Sequence, residues 1–233
     1  MDITKFNQFL NQISEVPLPV IEINIPLDSY ISIDISENNS ALLNFNISSS
    51  KEWQKYIDSY LSLHTKKVAF GGYLEKRNIY DRSDYFINIA AVDKRNIHLG
   101  TDLWCRAATN VLAVLDGEVH SFKNNNNYGD YGPTIILKHY VGVEVFYTLY
   151  GHLSLDSIQN LDIGTTVKQG QVISSLGKAN VNGDYAPHLH FQIIRNLAEN
   201  FGDYPGVASE NDIKFYKGNC PNPNYLLKLE IEE

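Results

Sequence analysis

From Val68 onward the chain is written as short apolar stretches separated by tight turns, and this constrains the fold more than any other feature. Val111 to Leu115 and Val119 to Phe122 flank Asp116-Gly117, a dipeptide that suits a two-residue hairpin turn. Pro133 to Tyr140 and Val143 to Tyr150 flank Val141-Gly142 as a second pair. Val167 to Ile173, with Gly170 inside it, and Leu189 to Ile194 read as further strands. Many short strands with regular turns predict a mainly β fold, a barrel or a sandwich. At 233 residues the chain makes one large domain, or one domain plus a small appendage, with no need of a disulfide or metal to hold its core. Cys105 and Cys220 lie far apart and read as free thiols.

The front end follows different rules. Ile3, Phe6, Leu10 and Ile13 recur at helical spacing, and Pro17 and Pro19 end the run. Ile21, Ile23 and Ile25 then alternate with polar residues, as do Ile31, Ile33 and Ile35, and again Leu43, Phe45 and Ile47. These predict a three-strand meander. Ser49 with Glu52 matches a capping box, and Trp53, Tyr56, Ile57, Tyr60 and Leu61 form an apolar stripe on the helix behind it. Residues 1–66 therefore read as helix, three strands, helix, a region that packs or docks and carries no chemistry.

Charge narrows the partners. Lys and Arg number 19 against 27 Asp and Glu, giving −8. Without a basic footprint, neither nucleic acid nor an anionic membrane is expected as partner. No apolar run approaches the roughly 18 residues of a membrane span. The first residues lack a signal-peptide pattern, so the chain reads as cytoplasmic, with export left open should a leader precede Met1. A phosphate loop is excluded because Gly170 and Gly177-Lys178 are separated by the wrong spacing, and there is no Gly-x-Ser-x-Gly elbow.

The candidate chemistry lies in the histidines. His188 and His190 are two apart on a predicted strand, so both leave the same face. His98 and Asp102 are four apart with Gly100 between them, where a glycine lets backbone approach a site closely. Neither pair is specific by itself. His64, His120 and His139 stand in no comparable context and read as surface or strand histidines.

Together the motifs say more. His98-Leu99-Gly100-Thr101-Asp102, then Tyr150-Gly151-His152-Leu153, then Pro187-His188-Leu189-His190-Phe191, in that order, resemble the lysostaphin/LytM-type zinc metallopeptidases. Ala113 to Val119 and Val167 to Ile173 are similar to that family's barrel strands, and the resemblance covers about residues 95–194. It implies a half-open antiparallel β-barrel or sandwich of the duplicated-hybrid-motif type, here with a small α+β N-terminal extension. It also implies a zinc ion held by His98, Asp102 and His190, with His152 and His188 as the catalytic histidines. Two imidazoles and a carboxylate suit a tetrahedral zinc site with one open position. One further histidine can move the water's proton, and another can stabilise the oxyanion. Which of His152 and His188 does which stays open.

Two departures stand out. Gln192 occupies a position where the family often has Glu, and Ala90 to Ile97 lacks the Tyr that often precedes the first ligand. The stretch from Gly71-Gly72-Tyr73 to Arg77-Asn78-Ile79-Tyr80 resembles a branch found inside larger intracellular proteins, beside kinase-like and aminotransferase-like domains. The expected organisation is an accessory region over 1–66, a metallopeptidase-like β domain over 67–200 and a loop-rich extension over 201–233. The expected activity is zinc-dependent hydrolysis of peptidoglycan-type or Gly-rich short peptides, with a protein partner for the N-terminal region. The rivals are a zinc hydrolase acting on a small intracellular molecule, a non-catalytic zinc-containing binding module and a histidine phosphocarrier.

Overall fold

The computed structural model describes residues 1–22, 24–82 and 93–230, the side chains of 81 and 82 excepted. Ile23 and residues 90–92, which entered the expectations above, lie outside this set. Helix α1 (Ile3–Gln12) opens the chain, followed by β1 (Tyr30–Ser32), α2 (Ser50–Leu63) and β2 (Val68–Gly71). Strands β3 (Ile97–His98), β4 (Thr101–Trp104), β5 (Asn110–Leu112), β6 (Gly117–Asn125), β7 (Gly132–Val141) and β8 (Glu144–Gly151) come next. Then follow β9 (Thr166–Val167), β10 (Val172–Ser175), β11 (His188–Ile194), β12 (Val207–Ala208), α3 (Ile213–Asn219) and α4 (Asn224–Leu227).

Eight strands form one sheet in the order β1-β2-β4-β11-β8-β7-β6-β9, antiparallel except for the β1–β2 pair. Two short ladders, β5–β10 and β3–β12, stand apart from it. The fold is mainly β, as expected, but the sheet does not close into a barrel: its outer strands are β1 and β9, and they do not pair with each other. Among the described residues no helix is long and apolar enough to cross a membrane.

The β7–β8 hairpin forms as expected, but Val141 still pairs with Glu144, so the turn lies one residue later, at Gly142-Val143, with Gly142 at φ 61°, a left-handed conformation that costs glycine little. Asp116-Gly117 does not make the expected hairpin. β5 pairs with β10, while β6 pairs with β7 and β9. The Asp116 carboxylate is engaged elsewhere. It accepts from the Gln169 backbone N–H at 2.8 Å and from Lys168 Nζ at 2.8 Å, which ties it to the turn before β10. The expected strand from Val167 to Ile173 is correspondingly broken into β9 and β10 at Gly170, whose φ is 75°.

The three-strand meander is also corrected. Ile31, Ile33 and Ile35 are buried, and the Ile33 N–H continues the β1–β2 ladder by donating to the Phe70 carbonyl at 2.9 Å. Ile21 makes only an isolated bridge to Val111, and residues 40–44 wind into a 3-10 turn with Leu43 in solvent. In the segment around Leu43, interleaved asparagines favour turns. Asn39 Oδ1 accepts from the Ala41 N–H at 2.9 Å and Asn46 Oδ1 from the Ser48 N–H at 3.0 Å, local turns that compete with a ladder. The capping box forms by half: Ser49 Oγ accepts from the Glu52 N–H, but Glu52 reaches back past Ser49 to the Asn46 N–H at 2.8 Å.

The central core gathers Phe6 and Leu10 of α1, Leu103 of β4, Phe146 and Tyr150 of β8, Phe191 of β11 and Leu226 of α4. A second cluster packs Trp53, Ile57 and Leu61 of α2 against Ile31, Ile33 and Trp104. Residues 1–66 thus supply an edge strand, a core helix and a covering helix. The tail holds α3, α4 and β12, and β12 pairs Val207 with His98. Cys105 and Cys220 are buried free thiols, in agreement with the sequence.

Candidate metal centre

β11 runs between β4 and β8, and its register decides the site. His190 lies directly opposite Asp102 on one side and Gly151 on the other, while His188 lies opposite Trp104. His98 arrives from β3 across the turn at Gly100. A Cβ on Gly100 would sit 2.7 Å from His190 Cε1 and 2.7 Å from the Phe191 carbonyl oxygen, so this turn reaches the site only as glycine. His152 follows β8 in a left-handed conformation, φ 63°, an uncommon backbone for a non-glycine residue. Its N–H and carbonyl oxygen are both engaged, by the Tyr131 carbonyl oxygen and the Gly177 N–H respectively, at 2.9 Å each.

The potential ligand atoms of His98, Asp102 and His190 all lie within 4.8 Å of one another, and all three residues are buried. His98 Nε2 is 2.8 Å from His190 Nδ1, and Asp102 Oδ1 is 3.3 Å from the first and 3.2 Å from the second. The opposite ring nitrogens fix the tautomers. His98 Nδ1 faces the Gly72 carbonyl at 3.0 Å and must carry the proton there. His190 Nε2 faces Gln192 Oε1 at 2.9 Å. The Gln192 amide is oriented by its own Nε2, which donates to the Pro205 carbonyl at 3.1 Å, so His190 Nε2 is a donor as well. Two imidazole lone pairs and a carboxylate oxygen therefore point at one small volume. Such a donor set is mutually repulsive when nothing positive stands between its members, and it fits a borderline cation such as zinc.

His152 and His188 stand beside this set, their ring centroids 4.2 Å apart. His152 Nδ1 donates to the Asn182 carbonyl and His188 Nδ1 to the Ala186 carbonyl, each at 2.8 Å, which leaves both Nε2 atoms as acceptors. His188 Nε2 is 3.9 Å from Asp102 Oδ1. Burial pushes the His152 and His188 imidazolium pKa values down and that of His98 down to about 3, so these rings are neutral at pH 7. For Asp102 burial works the other way, but His98 and Arg77 outweigh it and hold the carboxyl well below its usual range.

The cluster lies against a cavity of about 530 Å³ whose walls include Tyr131, Tyr185 and Trp104, together with Ile35 and Trp53 from residues 1–66. Ser50 Oγ on α2 donates to Asp184 at 2.6 Å, fastening the helix to the cavity's edge. The other histidines lie elsewhere: His64 against Tyr60, His120 against Tyr147, and His139 inside the sheet on Thr148. Residue patterning did not reveal Arg77, which donates through Nη1 to Asp102 Oδ2 at 2.6 Å. Its one signal was its place in the Gly71–Tyr80 stretch. Nor did patterning reveal the carbonyls of Gly72, Ala186 and Asn182, because any residue type can offer one.

Residues 96–200 match peptidase family M23. Among solved structures, the catalytic domain of the antimicrobial peptidase lysostaphin from Staphylococcus simulans is 28% identical, over 52% of this chain and 80% of that chain, with a TM-score of 0.38. A zinc containing peptidase from Vibrio cholerae is 30% identical, over 45% of this chain and 29% of that one, with a TM-score of 0.35. The SpoIIIAH and SpoIIQ complex matches at 23% identity, over 65% of this chain and 94% of that one, with a TM-score of 0.39. No curated protein is similar enough to count as a match.

Proposed function

We propose, from the match of residues 96–200 to peptidase family M23, that the chain is a zinc-dependent metalloendopeptidase acting on short peptides of the peptidoglycan or Gly-rich type. The observation that carries this reading is the convergence of His98 Nε2, His190 Nδ1 and Asp102 Oδ1, with both imidazole tautomers set by acceptors behind them. These three residues would hold the metal. When bound, zinc supplies Lewis-acid activation of water and of the scissile carbonyl.

The chain's own residues do the rest. The neutral Nε2 atoms of His152 and His188 are proton acceptors in a buried pocket, each ring held by a carbonyl behind Nδ1. One of them takes the proton of the attacking water and returns it to the departing amine, while the other faces the developing oxyanion once its Nε2 carries a proton. The aromatic cavity walls exclude water and hold an extended peptide against this face.

The test is metal analysis of the purified chain combined with digestion of purified peptidoglycan and of a free peptide library. One zinc per chain and cleavage in either digest are expected, with Asp102→Ala losing both. A chain that holds no metal, or that is loaded and cleaves neither, overturns the proposal.

A further inference from the structure

We propose that Arg77 is the positioning residue for the metal-binding carboxylate, holding Asp102 so that only Oδ1 faces the ligand histidines. This inference rests on the metal reading above. Asp102 has its two oxygens in different company. Oδ1 lies 3.2 Å from His190 Nδ1 and 3.3 Å from His98 Nε2, whereas Oδ2 accepts from Arg77 Nη1 at 2.6 Å. A carboxylate with both oxygens free can grip a cation with both. One whose second oxygen is tied to a guanidinium offers a single ligand atom and leaves a coordination position for other use.

Arg77 is itself held in place. Its Nε donates to Glu75 Oε2 at 2.6 Å, and Glu75 Oε1 accepts from the Ile35 backbone N–H at 3.1 Å. Its guanidinium carbon lies 5.7 Å from the centroid of the Trp104 ring. A Cβ on Gly72 would collide with Nη2, so the guanidinium occupies room that only a glycine leaves. The side chain is buried, and among the described residues Nη2 has no hydrogen-bond partner. Burying a charge is costly unless it is paired, and here two carboxylates pair with it. A positive group beside a divalent cation opposes the cation's binding. What Arg77 contributes is therefore direction rather than attraction. The Ile35–Glu75–Arg77–Asp102 chain also links residues 1–66 to a metal ligand.

The test uses cobalt(II) loaded into the metal-free full-length chain, because four-coordinate cobalt absorbs visible light more strongly than five- or six-coordinate cobalt. In Arg77→Met the freed Oδ2 joins the metal, so the visible band weakens and shifts to shorter wavelength. Arg77→Lys, which keeps a donor for Oδ2, restores it. A folded Arg77→Met chain that takes up no cobalt supports the proposal too, since Asp102 is then no longer delivered to the site. Should Arg77→Met fail to fold, the double variant Glu75→Gln/Arg77→Met removes the Glu75 charge as well, leaving Asp102 alone to be paired by the added metal, and is read in the same way. An unchanged band in whichever of these folds overturns the inference and spares the metal reading. A wild-type chain that takes up no cobalt overturns both.

Discussion

His190 shows how single residues set this site. One ring nitrogen faces His98 and Asp102, and the other is turned to Gln192, whose amide is fixed by the Pro205 carbonyl. A neutral amide therefore does the orienting work where a carboxylate often stands in similar sequences. Gly100 matters through what it lacks. Gly100→Ala would drive a methyl group into His190 and the Phe191 carbonyl, displacing the proposed ligand and costing about 1–3 kcal/mol of stability. Competition with a chromogenic chelator should show weaker zinc binding, and an affinity equal to wild type would mean the turn can yield. His152 and His188 are expected to separate chemistry from metal binding. His152→Ala and His188→Ala should keep stoichiometric zinc and lose about 10²–10⁴-fold in kcat, the usual contribution of a proton-transfer group. Zinc loss in either variant would make that histidine a ligand.

At the scale of elements, β11 organises the molecule, since its two ladders place His190 between Asp102 and Gly151. Strand β7, on the far side of β8 from β11, carries a histidine with a different task. His139 is buried, with Nδ1 on the Asp116 carbonyl at 2.9 Å and Nε2 on Thr148 Oγ1 at 2.7 Å. Burial pushes its pKa down to about 4, from an ordinary value of 6.5. As pH falls below 6.5 the unfolded chain binds a proton that the folded chain refuses. The stability present above 6.5 is therefore lost progressively down to about 4, to a total of about 3 kcal/mol. Urea unfolding at neutral pH and near pH 4.5 should show a smaller acid loss in His139→Gln than in wild type. Equal losses would place the titrating group elsewhere.

Across the whole molecule, residues 1–66 are integral to the folded structure. Phe6 and Leu10 sit in the central core, β1 pairs with β2, and Trp53 lines the cavity. Each buried Phe or Trp of this kind is worth about 3–5 kcal/mol on truncation to Ala. Several such losses together exceed the roughly 5–15 kcal/mol that holds an ordinary domain folded. A chain beginning at Lys67 should therefore fail to give a cooperative unfolding transition by circular dichroism. A folded, active chain of that length would show that the region only covers the domain.

What the sequence by itself determined was local. Alternation and turn residues specified a mainly β chain, the β7–β8 hairpin and β11, and the order of the His98, His152 and His188 motifs specified which side chains to bring together. Apolar period and turn chemistry act over a few residues, so they can be read along the chain. The tertiary structure decided the rest. Asp116 could close a hairpin or tie itself to Lys168 and Gln169, and only the fold's other contacts made the second choice. Ile21 and Leu43 alternate as strand residues do, yet Ile21 makes only a bridge to Val111, and the turns at Asn39 and Asn46 flank Leu43, so neither joins the sheet. The support behind the candidate ligand cluster was invisible for the same reason. It consists of backbone carbonyls and one arginine, brought to the histidines across 26 residues for Gly72 to His98 and 25 for Arg77 to Asp102. A carbonyl has no residue signature, and its aim exists only once distant strands are in register.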